Sequence, residues 1–213
     1  MIYDKYEIFP IAILFIEKKK MFSSFNEYLN KNGKWNYQID KLDFYKITKP
    51  PKISGYFPKL VLWTPKNNKS ITVIFSNVSD GFTNPINNFC IKENVNVIDV
   101  TFNGMDRKSN AGKYEFRYGK MVRGKQQERV LQYLKDTVWE YYEEGDKLDF
   151  EKQEDFTHYT LSNEILKDYL KYFNININDS FFESHDDAYF FEQIEWSNED
   201  FDVDDILGEI NKE

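Results

Sequence analysis

Short stretches of strand-forming residues, each ended by turn residues, constrain the fold of this chain more than any other feature. Residues 11–16 are six consecutive apolar residues, mostly branched or aromatic, which predicts a buried central strand. Residues 60–63 and 70–75 predict two further strands, and the polar residues 66–69 between them suit a hairpin. Residues 113–118 alternate, with three aromatic residues on one face and three charged residues on the other.

Helices are predicted where apolar residues recur at helical spacing after a capping residue. Ser23 or Ser24 can begin one helix, Asn84 with Pro85 at the first helical position a second, and Ser162 a third. More strands are predicted at residues 95–102 and 188–194, and residues 35–48 are expected to be irregular with short extended pieces. The sum predicts an α+β fold: a single domain with a mostly antiparallel sheet and helices packed on one side.

Residues 129–144 are ambiguous between a helix and a hairpin. Leu131, Leu134, Val138 and Tyr141 fit a helical stripe, yet residues 135–137 can equally form a turn between two strands. The abundance of β-branched and aromatic residues favours the hairpin.

Length and composition predict one substantial domain. With 213 residues, of which 41% are hydrophobic, the chain can bury a core, and we assign residues 1–197 to it. Residues 198–213 are expected to be an acidic tail with the spacing of a short helix from Asp205. The longest apolar run, residues 8–16, is too short to span a bilayer and lacks the features of a signal peptide. Together with the single cysteine, this predicts a cytoplasmic protein.

Negative charge is concentrated at the end of the chain. Residues 179–213 hold thirteen acidic residues and one basic residue, a net charge of −12, whereas residues 1–178 have a net charge of +4, which together give −8. Blocks of like charge more often mark an interaction surface than a requirement of the fold. The asymmetry therefore predicts a basic partner.

The sequence contains no convincing catalytic motif, so we expect a protein that is not an enzyme and needs no cofactor or metal. Cys90 lies on the apolar stripe of a predicted helix, which indicates a structural thiol, and His158 and His185 are the only histidines. One enzymatic alternative is a metal site at residues 183–187, where three carboxylates and an imidazole are close in sequence. A solvated turn explains the same residues.

A basic block at residues 107–129 supports a second alternative, a nucleic-acid-binding module. The block holds eight Lys or Arg residues against two acids, with aromatic residues interleaved. Because the basic and aromatic residues alternate, a strand that turns its aromatic face into the core and its charges into solvent is the simpler interpretation.

Four segments resemble a family of bacterial proteins. Residues 55–60 (GYFPKL), 76–81 (SNVSDG), 139–145 (WEYYEEG) with Phe150 and Glu151, and 188–190 (AYF) look like immunity proteins encoded beside polymorphic or contact-dependent toxins. The likeness spans residues 55–196. It implies that the protein binds one cognate toxin domain tightly and blocks its active site, as in contact-dependent growth inhibition, and it transfers no site residue.

Charge and resemblance together predict a non-catalytic inhibitor of a basic toxin domain of nuclease type. An acidic protein can occupy a basic cleft in place of phosphate, and opposite charge speeds association. We expect the contacts to come from acids near the end of the chain: Asp186, Asp187, Glu192, Glu195, Asp200, Asp202, Asp204 and Asp205.

Overall fold

A computed structural model describes most of the chain. The described residues are 6, 8–31, 33–48, 57–78, 80–104, 112–153, 160–178 and 187–195. They form nine strands: β1 (Ile8–Leu14), β2 (Lys34–Asp40), β3 (Lys59–Trp63), β4 (Thr72–Ser76), β5 (Val97–Asn103), β6 (Gly112–Val122), β7 (Lys125–Lys135), β8 (Trp139–Glu144) and β9 (Ala188–Glu195). Five helices accompany them: α1 (Lys18–Lys31), α2 (Phe44–Thr48), α3 (Thr83–Glu93), α4 (Asp149–Gln153) and α5 (Asn163–Tyr172).

All nine strands belong to one sheet, in the order β2-β9-β3-β4-β1-β5-β6-β7-β8, and each neighbouring pair is antiparallel. β1 is fifth of nine, which confirms the central strand predicted from its apolar run. β9 enters between β2 and β3, although it follows all the other strands in the sequence. The predicted α+β class with a mostly antiparallel sheet is confirmed.

Helices cover both faces of the sheet, so the expectation that they pack on one side is wrong. On the first face, Phe9, Ile11 and Ile13 of β1 join a core with residues of α2 and α5. On the second face, Ala12 and Leu14 join a separate core with α1 and α3. The physical reason is that β1 is apolar on both sides, so each face must be covered.

Two of the three predicted helix starts differ from those in the structure. α1 begins at Lys18, ahead of the predicted start at Ser23 or Ser24, and it buries Met21, Phe25 and Leu29. α3 begins at Thr83 after Phe82, whose backbone is left-handed (φ 61°) and which makes no side-chain cap. Ser162 caps α5 as predicted, accepting a hydrogen bond from the Ile165 amide.

The hairpin in the ambiguous region is confirmed. β7 and β8 pair from Val130 opposite Glu144 to Lys135 opposite Trp139, without a break in register. Gly145 then turns the chain with φ +82°, where a Cβ would lie 1.9 Å from the Glu128 carbonyl oxygen, so only glycine fits at this close approach. The stretch expected to be irregular contains β2 and α2.

Candidate partner-binding surface

Only three of the eight predicted contact residues lie in the described part of the chain. Asp187 is exposed just before β9, and its carbonyl oxygen accepts a hydrogen bond from Lys18 Nζ. Glu192 and Glu195 lie on β9. The other five, Asp186, Asp200, Asp202, Asp204 and Asp205, lie outside the described residues, as does the predicted acidic tail. The role of the eight acids remains a prediction.

Glu192 and Glu195 are each paired within the protein. Glu192 lies 3.1 Å from Lys59 Nζ, and Glu195 lies 2.5 Å from Lys34 Nζ. Each pair joins β9 to a neighbouring strand, Glu192 to β3 and Glu195 to β2, so a lysine offsets each of the two negative charges. These two acids therefore do not combine into one negatively charged patch.

In the described part of the basic block, three of the six basic residues form ion pairs: Lys113, Arg117 and Arg129. Arg117 Nη2 lies 2.6 Å from Glu128, and Lys113 Nζ lies 2.5 Å from Glu115. Phe116 is buried in the first core, and the neighbouring Tyr114 and Tyr118 pack against it. Aromatic residues packed in this way cannot stack on bases, so the structure favours the strand-face interpretation of this block.

A different negatively charged surface lies on the β7–β8 hairpin. Seven large hydrophobic side chains in the described residues are exposed, and three of them, Leu134, Val138 and Tyr142, belong to this hairpin. Acidic residues surround them: Asp136, Glu140 and Glu144. We call these six residues the hairpin surface.

The sheet leaves the hairpin surface open. Leu134, Glu140, Tyr142 and Glu144 project from the second face, and no residue of β6, β7 or β8 belongs to the second core. Asp136, Glu140 and Glu144 form no ion pair with any residue that the structure describes, although the Tyr142 hydroxyl donates a 2.6 Å hydrogen bond to Glu144. This surface therefore keeps both apolar area and uncancelled negative charge.

A buried ion-pair network fixes the end of β8. Arg129, whose side chain is 4% exposed, places Nη2 2.8 Å from Glu151 and 2.6 Å from Glu143. Its Nη1 donates to the carbonyl oxygens of Glu144 and Gly145, both at 3.3 Å. Burial opposes the charged form of Arg129, but the hydrogen bonds with both carboxylates outweigh it and raise the pKa. The network ties β7, β8 and α4 together.

Two tyrosines complete the network on the first face. The Tyr169 hydroxyl donates a hydrogen bond to Glu151 at 3.0 Å. Burial, and to a smaller extent the negative charge of Glu151, raise the pKa of Tyr169. Burial and the charge of Glu143 likewise raise the pKa of Tyr141 to about 12. Both phenols therefore stay protonated at neutral pH, which suits a structural role.

A cavity of about 600 Å³ opens beside this network. Its walls combine aromatic residues with lysines and acids, among them Tyr118, Lys120, Phe150, Lys152 and Phe173. Arg129 lines this cavity, but its guanidinium group donates its hydrogen bonds to Glu143, Glu151 and the Glu144 carbonyl. It is therefore not free to bind an anion.

Two further buried titratable side chains are Asp99 of β5 and Cys90 of α3. Asp99 is 6% exposed, and burial raises its pKa to about 7, with Arg117 opposing and Glu115 adding to the rise. Cys90 of α3 is buried in the second core, and burial raises its pKa above the ordinary range, as a structural thiol requires. Neither group reaches the hairpin surface.

Within the described residues, no cluster of three or more His, Cys, Asp or Glu side chains could hold a metal ion. The metal site considered as an alternative, residues 183–187, lies outside the described residues except for Asp187. His158 also lies outside them. No helix in the described part of the chain is both long enough and apolar enough to cross a bilayer.

The chain matches no protein-family model, and no curated protein or solved structure is significantly similar to it.

The hairpin surface was missed by sequence reasoning, although a signal existed. Residues 136–151 contain seven acidic residues and one lysine, Lys147, a local net charge of −6. Which acids remain unpaired depends on the fold and could not be read from composition.

Proposed function

We propose that this protein is a non-catalytic binding protein that neutralises a cognate bacterial toxin domain by covering its active site. The partner is a basic protein domain, of nuclease type, and the encounter takes place in the cytoplasm. The resemblance to immunity proteins and the acidity of the chain both support this class of function.

The observation that carries the proposal is the hairpin surface. Protein interfaces commonly combine a few exposed apolar or aromatic anchors with a polar rim. Here Leu134, Val138 and Tyr142 supply the anchors, and Asp136, Glu140 and Glu144 supply a rim of one sign. A basic partner would cancel that charge and bury the apolar side chains.

The acids at the end of the chain add to this charge in the proposal. Lysines offset the charges of Glu192 and Glu195, so the contribution comes from the exposed Asp187 and from the block of acids in the tail. Exposed charges away from the contact act mainly on the rate of encounter. We therefore assign steering to them and anchoring to the hairpin surface.

Co-expression tests the class of function. The protein is produced with and without the product of the neighbouring gene, and survival and co-purification are measured. Protection of the cells and a stable complex are expected. A neighbouring gene product that neither harms the cells nor binds this protein would remove the proposal.

Charge reversal then tests the surface. Glu140→Lys with Glu144→Lys should slow association about 10- to 100-fold at low salt, because both charges would repel a basic partner. The control is Glu17→Lys with Glu27→Lys, which makes the same change in net charge at α1, where both acids are exposed and each pairs with a nearby lysine. At 1 M salt, where the Debye length is about 3 Å, parent and variants should converge. Equal rates for the two double variants would move the contact away from the hairpin.

A further inference from the structure

We infer that the partner adds a β-strand to the outer edge of β8, and that this strand is basic. The inference rests on the proposed function and specifies how the partner is held. Strand addition to an exposed sheet edge derives affinity from backbone hydrogen bonds and specificity from alternate side chains.

β8 is the last strand of the sheet, and no described residue pairs with its outer edge. Proteins usually blunt such an edge with a bulge, a proline or charged side chains, lysine above all, because unpaired backbone groups invite other chains. β8, Trp139–Glu144, has no proline and no lysine, and its register with β7 is unbroken. The edge is therefore geometrically ready to accept a strand.

The strand is also held in place before any partner arrives. Trp139 stacks on Tyr133 with ring centroids 4.6 Å apart, which fixes one end. Arg129 holds the other end through Glu143 and the two carbonyl oxygens of Glu144 and Gly145. Pre-organisation of this kind lowers the entropy lost on binding.

Charge selects the occupant. β8 holds three glutamates and no basic residue, and only Glu143 has a cationic partner in the described structure. A second copy of the same strand would bring glutamates close to glutamates, which disfavours pairing between copies. A strand with Lys or Arg at alternate positions would place its cations beside Glu140 and Glu144 and its apolar residues beside Trp139 and Tyr141.

The test uses the full chain and a synthetic peptide of alternating Lys and Val, about eight residues long. The control peptide has the same sequence with alternate backbone amides N-methylated along one edge, which removes hydrogen-bond donors but keeps every charge and side chain. Binding is measured by titration at low salt, and amide hydrogen exchange of β8 is followed by NMR.

We expect the unmethylated peptide to bind about tenfold or more tightly than the control and to protect every second amide of β8. Glu140→Lys with Glu144→Lys should abolish this binding, whereas Glu17→Lys with Glu27→Lys should leave it unchanged. Equal binding of the two peptides, no binding of either, or protection elsewhere would overturn strand addition. These results are independent of the co-expression experiment. Only a failure of that experiment would remove the proposed inhibitor function.

Discussion

The two edges of the sheet differ in how their charges are satisfied. At the β2 edge, Lys34 pairs with Glu195 and Lys46 with Asp40, so cations and anions are matched. A bulge between Lys34 and Trp35 also interrupts the pairing of β2 with β9. At the β8 edge the register is regular, and Glu140 and Glu144 form no ion pair with described residues. Among the described residues, the first edge has matched charges and a bulge, whereas the second has neither, and the proposed strand addition rests on this difference.

Buried charged side chains are also distributed unevenly between the two halves of the sheet. The buried charged residues of the described structure all lie on β5 to β8 or on the helices beside them: Asp99, Glu115, Arg129, Glu151 and Lys167. The half formed by β2, β9, β3 and β4 buries polar side chains without charge, such as Thr72 and Gln193. Buried ion pairs are often no more stable than apolar packing, but they impose a defined geometry. The β8 half is therefore the half in which geometry is held by specific pairs.

The largest expected effect comes from breaking that buried network. Arg129→Ala should lower the free energy of unfolding by about 3–5 kcal/mol, because Glu151 would remain buried without its cation. Urea unfolding measures the loss. The comparison of the two halves fails if the loss stays below about 1 kcal/mol.

A pH-dependent effect should follow from Asp99. Its pKa of about 7 in the folded protein exceeds the ordinary value of 3.8, so the folded state holds a proton that the unfolded state has released. Between pH 4 and pH 7 the folded state therefore binds more protons, and stability falls as the pH rises. Asp99→Asn should be more stable than the parent by about 2–4 kcal/mol at pH 8 and equal to it near pH 3.

Arg117 remains paired with Glu128 in the Asp99→Asn variant, which leaves no new unpaired cation. Thermal unfolding of the parent and the variant, measured from pH 3 to pH 8, tests this prediction. A constant difference between parent and variant at every pH would show that the Asp99 carboxyl group has the same pKa in the folded and the unfolded protein.

A smaller loss is expected from the stacked tryptophan. Trp139→Ala should destabilise the protein by about 1–2 kcal/mol, less than for a fully buried aromatic residue, because Trp139 is only half-buried against Tyr133 and Tyr114. Hydrogen exchange should show β8 losing protection before the rest of the sheet does. Uniform loss of protection over all strands would mean that β8 is not a separate local unit.

The smallest effect should appear at the other edge. Lys34→Ala removes an ion pair whose side chains are 60% and 63% exposed, and solvent screens such pairs strongly. We expect a change below about 0.5 kcal/mol in chemical denaturation. A loss as large as that of Arg129→Ala would erase the distinction between the edges.

Sequence reasoning found the strands whose apolar residues face a core, as well as the β7–β8 hairpin, and it missed β2. β1, β4 and β5 are apolar runs, so their burial was predictable. β2 buries only Trp35 and exposes the rest, so its pattern resembled an irregular segment. α1 begins with three lysines that carry no capping signal, and its start is fixed by packing on the second face.

The candidate surface was less predictable than the fold. Whether a glutamate is free depends on which lysine lies opposite it, and the neighbours of β9 come from β2 and β3, far away in sequence. Glu192 and Glu195 were expected to face a partner and are found beside Lys59 and Lys34. Local composition cannot supply these distant pairings.

The position of β9 between β2 and β3 has a consequence for biosynthesis. Asp40 of β2 pairs with Ala188, which lies 148 positions later in the sequence (188 − 40). β2 therefore cannot join the sheet until most of the chain has been synthesised. At roughly 5–20 residues per second, a ribosome needs about 7–30 s to make that intervening stretch. Until then the outer side of β3 stays bare and offers a site for misassembly. The β6–β7–β8 meander needs no such delay, so the nascent chain can complete its acidic edge before its opposite edge exists.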